Sequence, residues 1–111
     1  MPVTFTEGDM FAREGLRAWG HGCNCAGAMG AGIAVEFRRR FPRMFEEYAA
    51  RCADERFGLG DVFVWSEGDL TVYNLGTQEH WRKKAQLSAV TRSLAKMVSL
   101  AKAGGIAVVY T

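Results

Sequence analysis

His21-Gly22-Cys23-Asn24-Cys25-Ala26-Gly27-Ala28-Met29-Gly30-Ala31-Gly32-Ile33-Ala34 is the stretch on which the reading of this chain turns. It leaves a β-prone segment, passes through a bend rich in glycine and enters a segment of helical period. In open α/β sheets, ligands bind in crevices at the carboxyl ends of strands. The first N–H groups of a helix lack internal partners and attract anions. Glycines at positions 27, 30 and 32 would let a phosphate approach that backbone without meeting a Cβ. The spacing is neither the dinucleotide-binding fingerprint nor a P-loop, since no Gly-Lys-Ser/Thr follows. A packed structural turn has the same look, so the glycines alone do not choose between the two.

Working outward, Val3, Phe5 and Glu7 alternate with Thr4 and Thr6 and run into Gly8-Asp9, which predicts a strand and a turn. Residues 16–23 predict a second strand, with Gly20 and Gly22 permitting close backbone approach near its end. Beyond the bend, Ile33, Ala34, Phe37 and Phe41 share one helical face. Pro42 breaks that helix, because its ring disfavours helical geometry in the preceding residue, and it suits the first position of a second helix. That helix carries Met44, Phe45, Tyr48 and Cys52 on one side. Residues 61–66 and 70–75 predict a hairpin closed by Glu67-Gly68-Asp69. After a polar segment holding His80 and Trp81, an apolar stripe of Leu87, Val90, Leu94, Met97, Val98 and Ala101 predicts a helix that stops at Gly104-Gly105. Residues 106–110 form a continuous apolar run, as in a strand covered on both faces. The order β, β, α, α, β, β, α, β argues for an α/β layered domain with a mixed sheet.

The chain has 111 residues, 49% hydrophobic and 23% charged, which suits one globular domain over residues 1–111. No apolar run approaches the about 18 residues that span a bilayer, and the N-terminus lacks a basic start followed by an apolar core. A net charge of +2 supplies no strong field for nucleic acid, although local basic groups remain at Arg38-Arg39-Arg40 and around Trp81-Arg82-Lys83-Lys84. Three cysteines, an odd and small number, favour free thiols and a cytoplasmic setting. Cys23, Cys25, Cys52 and His21 also raise a zinc site, although their spacing lacks the usual paired CxxC pattern.

The quoted stretch resembles the first ligand loop of macrodomains, which bind ADP-ribose. The branch it resembles holds ADP-ribose-1″-phosphate phosphatases, terminal ADP-ribose glycohydrolases and DNA-ADP-ribosyl glycohydrolase antitoxins. Gly8-Asp9, Phe37-Arg38-Arg39-Arg40-Phe41-Pro42, Gly60-Asp61-Val62 and Tyr73-Asn74-Leu75-Gly76-Thr77-Gln78-Glu79-His80-Trp81-Arg82 follow in the family's order. The resemblance implies a three-layer α/β/α macrodomain-like fold with a mixed central sheet, lacking the family's C-terminal helix and strand. It implies a function of binding ADP-ribose or a derivative and hydrolysing a group from the terminal ribose, phosphatase-like. The alternatives are an ADP-ribosyl glycohydrolase acting on protein or DNA, and a reader without turnover.

The resemblance also implies roles. Asp9 would accept a hydrogen bond from adenine, and the backbone of Gly30, Ala31, Gly32 and Ile33 would cradle pyrophosphate. Asn24 would contact the terminal ribose, and His21 would act as base, acid or nucleophile on it. Each has a plainer alternative: Asp9 capping a turn, Asn24 satisfying its own loop, His21 bonded to backbone at a strand end. The implied ligands are ADP-ribose or ADP-ribose-1″-phosphate, with ADP-ribosylated protein or DNA as further partners and neither metal nor organic cofactor. Glycohydrolase relatives carry a lysine where this chain has Gln78, which cannot act as a base at neutral pH. The family also continues past Thr111, so an exposed apolar face and self-association are expected.

Overall fold

The elements appear in the expected order: β1 (Val3–Phe5), β2 (Ala18–Asn24), α1 (Ile33–Arg40), α2 (Pro42–Ala53), β3 (Val62–Glu67), β4 (Leu70–Gln78), α3 (Leu87–Gly104) and β5 (Val108–Tyr110). The computed structural model describes residues 3–5, 17–30, 32–104 and 108–110. The Gly8-Asp9 turn, Leu16, Gly105 and the first residues of the last apolar run lie outside them.

The strands form one sheet in the order β1-β5-β2-β4-β3. β1, β5, β2 and β4 run parallel, and β3 returns antiparallel on β4. The sheet is therefore mixed, as the sequence order predicts. The β3–β4 hairpin closes at Gly68-Asp69, and β4 continues past the predicted Leu75 to Gln78 because β2 supplies a parallel partner along its whole length.

Alternation along the strands divides two cores. Trp19 and Cys23 of β2 join Val72 of β4 and Phe63 of β3 beneath Phe37, Phe41, Met44 and Tyr48 of α1 and α2. On the opposite face, Ala18, Tyr73 and Leu75 meet Met97 and Ala101 of α3. This is the three-layer α/β/α arrangement. The break between α1 and α2 falls where Pro42 requires it: Phe41 leaves helical geometry, and Pro42 takes the first turn of α2, where a missing N–H goes unnoticed.

The face of α3 agrees with expectation except at its start. Its fully buried seam is Ala89, Ser93, Met97 and Ala101, spaced by four, while Leu87 is 81% exposed. Small side chains let the helix approach the sheet closely, and the Ser93 hydroxyl donates to the Ala89 carbonyl at 2.7 Å, so its burial leaves nothing unpaired. Leu94 and Val98 pack half-buried against the same core, and with Leu87 and Val90 they border an apolar groove on its flank. Among the described residues, no helix is long and apolar enough to cross a membrane.

Candidate functional site

At the carboxyl ends of β2 and β4 lies a cleft of about 420 Å³. Gly22, Cys23 and Asn24 reach it from β2, and Ala28, Met29, Gly30 and Ala34 from the bend and the start of α1. Gln78 and Trp81 reach it from the end of β4 and beyond. A register shift between Cys23 and Asn24 ends the regular β2–β4 pairing, and the Cys25 N–H then donates to the Gln78 carbonyl at 2.8 Å. Irregular pairing at a strand end redirects side chains, and here it brings Asn24 to the cleft wall.

Asn24 also organises the bend. Its Oδ1 accepts from the Ala26 N–H at 3.0 Å and the Ala28 N–H at 3.3 Å, while its Nδ2 donates to the Ala28 carbonyl at 2.8 Å. The Tyr48 hydroxyl of α2 donates to the Asn24 carbonyl at 2.7 Å and lies 2.9 Å from its Oδ1. Burial pushes the Tyr48 hydroxyl far above its ordinary pKa, keeping it a donor. The second N–H of the Asn24 amide has no protein partner among the described residues. Asn24 thus satisfies its loop, as the plainer alternative held, and still presents a donor group at the cleft. Sequence reasoning took Tyr48 only as part of an apolar face; a buried tyrosine needs a partner for its hydroxyl, and that requirement was the available clue.

Gly30 and Gly32 open the way to the first turn of α1. A Cβ at either would meet nothing within 4 Å, so their backbone borders open space. Gly32, with φ of 62°, stands at the N-cap without a side-chain cap, and the Val35 N–H turns back to its carbonyl at 3.2 Å. Ile33 packs its side chain on the core, and only its backbone belongs to this edge. Asp9 and Ala31 lie outside the described residues.

His21 does not face the cleft. The resemblance implies a reactive imidazole; the structure places it on the face of β2 shared with Trp19, where its side chain is wholly buried. The ring stacks on Phe37 with centroids 3.9 Å apart, and Nε2 lies 2.6 Å from Asn74 Oδ1. Asn74 Nδ2 donates to the Phe63 carbonyl at 3.1 Å, which fixes its oxygen toward His21 and makes Nε2 the protonated nitrogen. Burial lowers the His21 pKa from 6.5 to about 4, against the opposing pull of Asn74. Cys23 Sγ lies 3.5 Å from Nε2, yet burial raises its thiol well above the ordinary value. Both groups are neutral near pH 7, so this is not an activated thiolate–imidazolium pair.

The lowered pKa of His21 sets a pH dependence. Between pH 6.5 and about 4 the unfolded chain takes up the proton and the folded chain does not. Stability from this group is therefore level above that window and falls as pH drops through it, by about 2 kcal/mol at about pH 4.5. Urea midpoints for the parent and for His21→Asn check this: the gap between them should shrink by that amount from about pH 7 to about pH 4.5. A constant gap would contradict it.

On the far wall, Gln78 lines the cleft at the position where the resemblance would put a lysine, and its Nε2 donates to the Lys83 carbonyl. Glu79 does not line the cleft; it pairs with Lys83 at 2.9 Å, which holds its carboxyl below the ordinary value. Trp81 is 53% exposed and stacks on His80 with centroids 3.6 Å apart. Among the described residues, no three His, Cys, Asp or Glu side chains gather as a metal set.

The order of these parts agrees with comparison to known proteins. The family model described as the Macro domain matches residues 21–111. Over 109 residues the chain is 32% identical to the DNA ADP-ribosyl glycohydrolase of Mycobacterium tuberculosis, covering 95% of this chain and 31% of that protein. Over 50 residues it is 44% identical to the ADP-ribose 1″-phosphate phosphatase of Aspergillus clavatus, covering 45% of this chain and 25% of that protein. The chain thus spans about a third or less of the length of these curated relatives. The macrodomain of Mycobacterium tuberculosis DarG has the same fold, with a TM-score of 0.85 and 31% identity over 97% of this chain and 73% of that one. With the sheet order, the glycine bend and the family match all agreeing, the chain belongs to the macrodomain family.

Proposed function

We propose that the chain binds ADP-ribose or a derivative in this cleft and hydrolyses a group carried on the terminal ribose. The observation that carries the reading is the continuity of two features. An uncapped helix start bordered by open glycine backbone adjoins a cleft at the carboxyl ends of two parallel strands. Pyrophosphate would lie along residues 30–33, where N–H groups and the helix dipole favour it. The terminal ribose would occupy the cleft beside Asn24 and Gln78.

The described lining offers amides, backbone and the Cys23 thiol, which burial keeps protonated, but no imidazole, carboxylate or amine. Such a lining orients a substrate and donates hydrogen bonds to developing charge; it does not abstract a proton at neutral pH. Phosphate leaves as a stable anion and needs no strong base, which favours ADP-ribose-1″-phosphate as substrate. The phosphatase named among the relatives supports this version. A second reading, hydrolysis of an ADP-ribosyl bond to nucleic acid, is favoured by the long match to DNA ADP-ribosyl glycohydrolase and by exposed Trp81.

Calorimetric titration with ADP-ribose, with AMP as the control, tests the reading. AMP carries adenine and one phosphate but cannot reach the ribose cleft. Binding in the micromolar range is expected, with ADP-ribose preferred by more than about tenfold, or ~1.4 kcal/mol. Equal affinities, or no heat with ADP-ribose, would overturn it. Phosphate release from ADP-ribose-1″-phosphate then separates turnover from simple recognition.

A further inference from the structure

We propose that Tyr48 is a positioning residue for the terminal ribose. From α2 its hydroxyl holds the end of β2 so that the Asn24 amide presents an N–H to the cleft, which sets the preference for ADP-ribose over ADP. Tyr48 itself is wholly buried and does not line the cleft. Whatever it contributes to a ligand therefore passes through Asn24. ADP shares adenine and pyrophosphate with ADP-ribose but has no terminal ribose, so comparing the two ligands isolates that contribution.

The need for such a hold comes from the strand. The register of β2 with β4 shifts between Cys23 and Asn24, so the ladder is irregular where the Asn24 peptide lies. Three acceptors crowd the Tyr48 oxygen there: the Asn24 carbonyl at 2.7 Å, Asn24 Oδ1 at 2.9 Å and the Ala28 carbonyl at 3.3 Å. A hydroxyl has a single proton to give. Oδ1 already accepts from the N–H groups of Ala26 and Ala28, and the Ala28 carbonyl accepts from Asn24 Nδ2. The Asn24 carbonyl, nearest of the three, takes the proton. With that peptide pinned, the amide has one workable orientation. A flipped amide would set its NH2 against two N–H groups and its oxygen against the Ala28 carbonyl.

The hydroxyl can be removed without disturbing its mount. The Tyr48 ring packs edge-on against Phe57 with centroids 5.8 Å apart, and lies tilted to Phe45 at 6.2 Å. Phenylalanine would keep both contacts and lose the hydrogen bond alone. The Asn24 carbonyl, in a residue only 7% exposed, would then lack its donor from α2, and the bend would sample other arrangements. Affinity for the ribose falls by the fraction of time that the amide is correctly placed. The start of α1 is anchored separately, since Ile33 and Phe37 pack on the core, so ADP should not feel the change.

This inference rests on the terminal ribose lying beside Asn24, and two readouts keep the two apart. Calorimetric titrations with ADP-ribose and with ADP would be run on the parent, Tyr48→Phe and Val72→Ala, the last loosening the same core without touching the hydroxyl. Side-chain amide signals in nitrogen–proton NMR spectra of the unliganded proteins follow Asn24, one of two asparagines in the chain. Tyr48→Phe should lose about fivefold or more of the preference for ADP-ribose over ADP, with ADP affinity within about twofold and the Asn24 amide signals shifted. Val72→Ala should lower the urea midpoint and leave the preference as it is. Unmoved Asn24 signals in Tyr48→Phe overturn the inference, as does an equal loss of both ligands, or an equal fall in preference in Val72→Ala. A parent without preference for ADP-ribose, in which Tyr48→Phe still moves the Asn24 signals, supports the hold of Tyr48 on Asn24 and sinks the function proposed above.

Discussion

Replacing His21 with alanine should destabilise the protein by about 3–5 kcal/mol, lowering its melting temperature by more than about 10 °C. Two losses combine. A ring stacked 3.9 Å from Phe37 disappears from the core, leaving a space that the surrounding strands cannot close. Asn74 is also stranded: its buried Oδ1 loses the Nε2–H donor at 2.6 Å, and the weak Cys23 thiol at 3.8 Å is a poor replacement. Because the imidazole does not line the cleft, ADP-ribose affinity of the folded protein should change by less than about tenfold. His21→Gln, which restores an N–H for Asn74, should recover part of the loss. Urea denaturation of the three proteins measures this directly. A His21→Ala protein as stable as the parent but devoid of turnover would mean that the imidazole reacts with substrate and that the packing account is wrong.

The sequence made the strand at residues 16–23 legible, one residue short of its observed end at Asn24, but not the direction of His21. A histidine just before a glycine bend looks the same whether it faces a ligand or the core. Alternation from Trp19 carried the answer, since Trp19, His21 and Cys23 share one face of a strand, and Trp19 is an evident core residue. What no local pattern contains is Asn74, the hydrogen-bond partner 53 residues away. The break at Phe41-Pro42 and the hairpin at Gly68-Asp69 were legible because backbone chemistry alone decides them. The face of α3 was legible in part. The predicted stripe holds for Leu94, Met97, Val98 and Ala101, whereas Leu87 at its start stands exposed. The sheet also took the small residues Ala89 and Ser93, which permit the closer approach. The cleft itself was half legible. The glycine bend and Asn24 pointed to it, whereas Gln78 and Trp81 reach it only because β4 extends beyond Leu75 and its register with β2 shifts at the end.

Gly76→Ala is the other substitution expected to have a large effect, at least about 3 kcal/mol. The reason is close approach between two backbones. A Cβ on Gly76 would stand 2.1 Å from the Gly58 carbonyl oxygen and 3.1 Å from its carbon. Neither is the end of a flexible side chain that can swing aside. The loop that carries Gly58 is tied to the same stretch of β4, because the Gly60 N–H donates to the Gly76 carbonyl and the Gly76 N–H to the Asp61 carbonyl, each at 2.8 Å. The Asp61 carboxylate in turn accepts from the Gly58 N–H at 2.9 Å. Relieving the clash therefore means breaking several of these bonds and lifting buried Phe57, the neighbour of Gly58, out of the core. The strain also reaches the cleft, since Thr77 and Gln78 follow directly on β4, and the Thr77 carbonyl anchors the segment that carries Trp81. A protein that folds at all should thus lose affinity for ADP-ribose along with stability. Soluble yield, urea midpoint and a repeat of the calorimetric titration check both parts. A midpoint within about 0.5 kcal/mol of the parent would mean that the two backbones do not lie this close, because an alanine there has no other route to accommodation.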